Sequence, residues 1–132
     1  MKYLKAMRPH QGILAVLLAL TSFRIANVTN ASYIILVVLN VFVTVGATMV
    51  WNDYCDRKQD VLKDKRLAYN APEKYLHFSI ALWCLSGISA LGLLAFSPLA
   101  FALATFIALV GYLYSVVIIK IPVMPTITVA SL

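Results

Sequence analysis

Long uncharged apolar runs separated by short polar breaks dominate this chain, and their lengths predict helices that cross a bilayer. Ala31 to Trp51 contains no charged side chain, Pro98 to Ile119 contains none, and Tyr75 to Phe96 has no Asp, Glu, Lys or Arg and only His77 as a basic group. Each run matches the ~20 residues a helix needs to traverse a hydrocarbon core of ~30 Å. A buried helix of a water-soluble domain rarely stays free of charge for so long. The first apolar run, Gly12 to Phe23, is shorter, so a full span must reach about Val28 and take in Arg24, which can snorkel from a helix end. A signal peptide competes for this stretch, because Lys2, Lys5 and Arg8 precede it, but no small-x-small cleavage site follows.

The pattern therefore predicts an all-α integral membrane bundle of about four transmembrane helices, with spans near 11–28, 31–51, 75–96 and 98–119. A polar loop over 52–74 divides the middle pair, and Ser97-Pro98 makes a tight turn. Composition agrees: 62% of the 132 residues are hydrophobic and 12% are charged. That leaves too little polar surface to cover a water-facing globule, where about a quarter of residues are charged. With neither repeat nor low-complexity linker, residues 1–132 read as one domain. Residues 121–132, uncharged with prolines at 122 and 125, are too few to cross the bilayer and read like the opening of a fifth helix.

Charge then orients the spans. Lys2, Lys5, Arg8, Arg57, Lys58, Lys63, Lys65, Arg66, Lys74 and Lys120 fall on one side of the predicted topology, leaving Arg24 near the other. The positive-inside rule places the N-terminus and the 52–74 loop in the cytoplasm, in the cell membrane. The net charge of +6 is explained by this orientation rather than by nucleic acid, which is excluded as a partner. Cys55 and Cys84 form no ligand spacing and imply neither a disulfide framework nor a zinc site. Two overlapping Asn-x-Ser/Thr triplets at Asn27 and Asn30 hug the membrane and are read as chance.

All five acidic residues lie between Asp53 and Glu73. If the second span continues as a helix, Asp53, Asp56, Asp60 and Asp64 fall within roughly 80° of one another at about 100° per residue. Like charges at i,i+4 repel, so the cluster asks for a counter-ion. A hard divalent cation such as Mg²⁺ suits it, taking carboxylate oxygens together with substrate phosphates and water. Arg57, Lys58, Lys63, Lys65 and Arg66 interleave with these acids and suit the outer oxygens of a diphosphate. A solvated loop of mutually paired charges is the plain alternative.

At this point the residues carry a resemblance. Asn52-Asp53-x-x-Asp56-x-x-x-Asp60 at the end of a second span is similar to the first aspartate-rich motif of the UbiA superfamily of membrane prenyltransferases. Arg8-Pro9 before the first span, Arg66 six residues after Asp60, and Tyr114-Ser115 followed by Lys120 resemble further family segments, so the similarity extends over most of the chain. It implies the first half of the UbiA fold and Mg²⁺-dependent transfer of a prenyl group from an isoprenyl diphosphate to an acceptor within the membrane. It further implies Asn52, Asp53, Asp56 and Asp60 as the metal set, with Arg57, Arg66, Tyr114 and Lys120 on the diphosphate. The chain departs from the family at Leu67, at Asn70-Ala71-Pro72 and at Val116-Val117. The family also uses a second aspartate-rich motif, and no acid follows Glu73 here. The resemblance thus predicts a truncated or split half-enzyme, inactive unless a second polypeptide or a second copy supplies the missing ligands. The rival reading is a non-catalytic four-helix membrane protein or a degenerate UbiA-like remnant. A CDP-alcohol phosphotransferase is set aside, because Tyr54 and Arg57 stand where its signature requires other residues.

The remaining polar and small residues read as structural. His10 and His77 are expected at the interface, with Tyr3, Tyr54, Tyr69, Tyr75 and Trp51 in aromatic belts. Asn40 is expected to hydrogen-bond between helices, and Gly87, Gly92 and Gly111 to let helices approach closely.

Overall fold

The computed structural model describes residues 5–57 and 70–116. Four helices account for nearly all of them: α1 (Pro9–Ile25), α2 (Ala31–Cys55), α3 (Pro72–Leu94) and α4 (Pro98–Val116). Their starts follow from local chemistry. Proline opens α1 and α3, where its missing N–H costs no hydrogen bond. Asn30 caps α2 by accepting the Tyr33 N–H at 3.0 Å, and Ser97 Oγ accepts the Ala100 N–H at 3.2 Å at the start of α4.

The break between α1 and α2 lies where Asn27 takes up the left-handed conformation, φ 52°. Asparagine tolerates this region better than most side chains, and the turn closes with the Val28 N–H on the Phe23 carbonyl at 3.0 Å. The consequence is a first helix of 17 residues that stops at Ile25 rather than Val28. At 1.5 Å per residue it extends ~25 Å, short of the ~30 Å core. Three helices, α2, α3 and α4, are long and apolar enough to cross a membrane.

Helix α2 is the hub. It packs along α3 over the most extensive contact, holds α1 on a second flank, and meets α4, which also touches α3. The α2–α3 seam is polar and small: Asn40, Thr44, Ser79, Ser86, Ser89, Ala47 and Ala90 are all buried. Asn40 Nδ2 donates to the Ser86 carbonyl at 3.0 Å and to Ser89 Oγ at 2.9 Å, while the Thr44 and Ser86 hydroxyls pair at 2.6 Å. The expectation for Asn40 is thereby met. Large apolar residues such as Leu18, Ile35, Leu99 and Phe106 point outward at 60% exposure or more. Polar groups inside and leucines outside is the arrangement expected when the solvent is hydrocarbon, since apolar side chains gain nothing by hiding from lipid.

Glycines settle the close approaches. A Cβ at Gly92 would lie 2.9 Å from Leu36, and one at Gly111 would lie 2.7 Å from Thr48 Oγ1. Both are packing positions, as read from the sequence. Gly87 is not, for a Cβ there meets nothing within 4 Å. It faces outward from α3, off the face that carries Ser79, Ser86 and Ser89 into the seam.

Candidate functional site

The motif begins on the last turn of α2, a place unfavourable to acids. The negative end of the helix dipole lies there, and α2 has no basic residue in its last turn. Two contacts from elsewhere offset this. Arg8, from the segment before α1, sets its guanidinium 3.0 Å from Asp53 Oδ1, joining residues 45 apart in sequence. Arg57 folds back to donate to the Tyr54 carbonyl at 2.7 Å and lies 4.2 Å over the Tyr54 ring. One otherwise unpaired helix-terminal carbonyl is thereby satisfied by a cation, as the dipole favours.

The regular helix ends at Cys55, earlier than a continuous acid-bearing face requires. Asp56 is the C-cap, at φ −87° and ψ 1°, with its N–H still bonded to the Asn52 carbonyl at 2.9 Å. Dipole and like-charge repulsion both oppose extending α2 through further carboxylates. Of the residues assigned to the motif, Asn52, Asp53, Asp56 and Arg57 are brought together here. Asp60, Asp64, Arg66 and Lys120 lie outside the described residues, as do Lys58, Lys63 and Lys65.

Asn52 is the informative member. Its Nδ2 donates to Asp56 Oδ2 at 3.1 Å, which fixes the amide so that Oδ1 points the other way. That oxygen is buried and has no hydrogen-bond partner among the described residues. A buried carbonyl left unmatched costs on the order of 1–3 kcal/mol, so it marks a place where a donor or cation is wanted. Among the described residues, no three His, Cys, Asp or Glu side chains converge as a metal-holding group. The oxygen donors among the described motif residues are the Asn52 amide and the Asp53 and Asp56 carboxylates, Asp53 being paired with Arg8. These are hard oxygen donors of the kind Mg²⁺ accepts, and they fit a partial site.

Comparison with known proteins identifies no kin. No family model, no curated protein and no solved structure matches this chain. The functional reading therefore rests on the site's own chemistry and on the motif resemblance.

Around the motif lies an aromatic stack in which Trp51 and Tyr54, expected in an interfacial belt, are joined by two further rings. Trp51 sits between Tyr54, with centroids 5.5 Å apart, and Tyr112 of α4, 5.3 Å away and inclined by 17°. Trp83 of α3 meets Tyr112 edge-on at 6.3 Å. These rings lock α2, α3 and α4 together beside Asn52. The indole N–H groups of Trp51 and Trp83 are buried without acceptors among the described residues. The α4 tyrosine that packs on Trp51 is thus Tyr112. Tyrosines two apart on one helix point about 200° from each other, so only one could face α2.

Arg8 itself carries strain, standing in the left-handed region at φ 47°. For a residue with a Cβ this costs about 1–2 kcal/mol, against an ion pair contributing at most ~1 kcal/mol at this partial exposure. Arg8→Ala keeps the strain and loses the pair, so it should destabilise the bundle by about 1 kcal/mol. Arg8→Gly loses the pair and also the strain, and should come out near wild type. Denaturant titration in detergent checks this, and equal destabilisation by both variants would contradict it.

Proposed function

We infer that this chain is the N-terminal half of a UbiA-type prenyltransferase site, holding an isoprenyl diphosphate through Mg²⁺ at the end of α2. The observation that carries the reading is the buried, unmatched Asn52 Oδ1 held beside Asp56. Asn52, Asp56 and Asp60 hold the metal, with Asp53 oriented beside them by Arg8. Arg57, Arg66 and Lys120 contact the outer phosphate oxygens; Tyr114 matches the family's tyrosine by resemblance, but Tyr112 is the α4 tyrosine that faces α2. Bound Mg²⁺ supplies electrostatic stabilisation for the charge that grows on the leaving diphosphate. The apolar helices exclude water from the allylic fragment as its bond to the diphosphate weakens. Full turnover calls for a second set of carboxylates, contributed by another polypeptide or a second copy. In this reading α1 also enters the bilayer, and the N-terminus and 52–74 loop face the cytoplasm of a cell membrane.

A non-catalytic membrane protein is the second reading, and the Arg8–Asp53 pair favours it, since one motif carboxylate already has a protein counter-ion. Titration of geranyl diphosphate into the chain in lipid nanodiscs separates the two. Binding in Mg²⁺ that weakens by about ten-fold or more when EDTA replaces the metal is the expected result. Binding that is absent, or equal in both buffers, would discard the enzyme reading.

A further inference from the structure

The bundle contains a second polar feature that the diphosphate reading does not use. On the far half of α2 from the motif, a cavity of about 400 Å³ opens between α1 and α4 with α2 as its floor. Ala15, Val41, Leu103 and Ala104 contribute to walls that are almost wholly apolar, and Asn40 and Thr44 lie in the floor. Its size falls in the lower part of the ~300–1,000 Å³ range of small-molecule sites. Counting 1.5 Å per residue, Asn40 stands about 14 Å along the helix from Ala31 and about 20 Å from Asp53, close to mid-membrane depth.

Asn40 is 4% exposed, and what surface it keeps faces this cavity. Both of its hydrogen bonds use Nδ2, toward the Ser86 carbonyl and Ser89 Oγ. The Ser86 carbonyl can only accept, so the amide cannot be flipped without setting oxygen against oxygen. Oδ1 is therefore the atom turned from the seam, and it accepts no hydrogen bond among the described residues. In a hydrocarbon solvent no water is at hand to satisfy it, and an unmet polar group there is unfavourable. A single water would be poorly held, since a buried water wants two to four polar partners and the Thr44 hydroxyl beside Asn40 is already paired with that of Ser86. A lipid tail would fill the space and leave the oxygen unmet.

We propose that this groove is a binding site for a membrane-dissolved molecule with an apolar body and one hydroxyl, which donates to Asn40 Oδ1. The site stands independently of any metal at the motif. The seam bonds to Ser86 and Ser89 hold the amide in place before the ligand arrives, so little ordering is needed on binding. A neutral hydroxyl is favoured over a charged head, because the walls offer no counter-charge.

The whole chain in lipid nanodiscs tests this with two photoprobes, a twelve-carbon alcohol bearing a diazirine and an alkyne, and its methyl ether. Peptide mass spectrometry should find the alcohol attached at Val41 or Ala104 about five-fold more than the ether, the ratio set by one hydrogen bond. Excess 1-dodecanol should displace it, and dodecane should not. Ala104→Leu narrows the groove without touching the Asn40 bonds, and should bring alcohol labelling down to the ether level with thermal stability retained. Asn40→Leu should do the same, but it also cuts the α2–α3 seam, so Ala104→Leu carries the decision. Equal labelling by alcohol and ether, displacement by dodecane, or labelling indifferent to Ala104→Leu would each overturn the proposal.

Discussion

Asp56→Asn is expected to lower Mg²⁺-dependent affinity for geranyl diphosphate by at least about 10–100-fold, with the bundle still folded. The substitution is nearly isosteric, and the new amide oxygen can still accept from Asn52 Nδ2, so the contact at 3.1 Å survives. What disappears is a full negative charge from a cation site that has few other donors. Asp53→Asn provides the contrast. It abolishes the ion pair to Arg8 and should show its loss in unfolding titrations rather than mainly in affinity. Titration calorimetry on both variants, read beside denaturant stability, distinguishes a metal ligand from a structural counter-ion. If Asp56→Asn binds as wild type does, the metal role fails. In an assembled enzyme, Asp56→Asn and Asp60→Asn are both expected to abolish prenyl transfer.

The second large effect is on packing. Gly111→Leu should destabilise the bundle by about 1–3 kcal/mol and detach α4 from α2 at the motif end. A Cβ there would meet Thr48 Oγ1 at 2.7 Å and Cγ2 at 3.2 Å. Thr48 has little room to yield, because its hydroxyl donates to the Thr44 carbonyl at 2.9 Å. Pushing α4 outward also parts Tyr112 from Trp51, now 5.3 Å apart. Tryptophan fluorescence should shift and stability should fall together. Gly87→Leu is the control, since its position is open, and it should leave both unchanged. A Gly111→Leu protein with unaltered fluorescence would place the α2–α4 contact elsewhere.

Three of the helices were legible because a span announces itself through what it lacks. Twenty residues without charge have few alternatives to a membrane helix, and α2, α3 and α4 have the length and apolarity for it. The first helix was less legible, because its end depends on Asn27 adopting the left-handed turn, a choice that composition leaves open. Asn40 was readable as glue, since a lone amide in an apolar span must find partners. Its carbonyl oxygen, without a partner among the described residues, and the cavity beneath it were not, because a groove exists only once α1 and α4 are set apart on α2.

The motif divides in the same way. Sequence alone determined that every acid sits in one segment beside the membrane, among many of the basic residues, because charge and spacing are local properties. Only the tertiary structure decided that Asp53 belongs to Arg8, that Asp56 ends the helix, and that Tyr112 rather than Tyr114 meets Trp51. These pairings join residues far apart in the chain, or choose between neighbours on a helix apolar on every face. In lipid the hydrophobic pattern does not say which face is inside, so close packing and scarce hydrogen bonds make the choice.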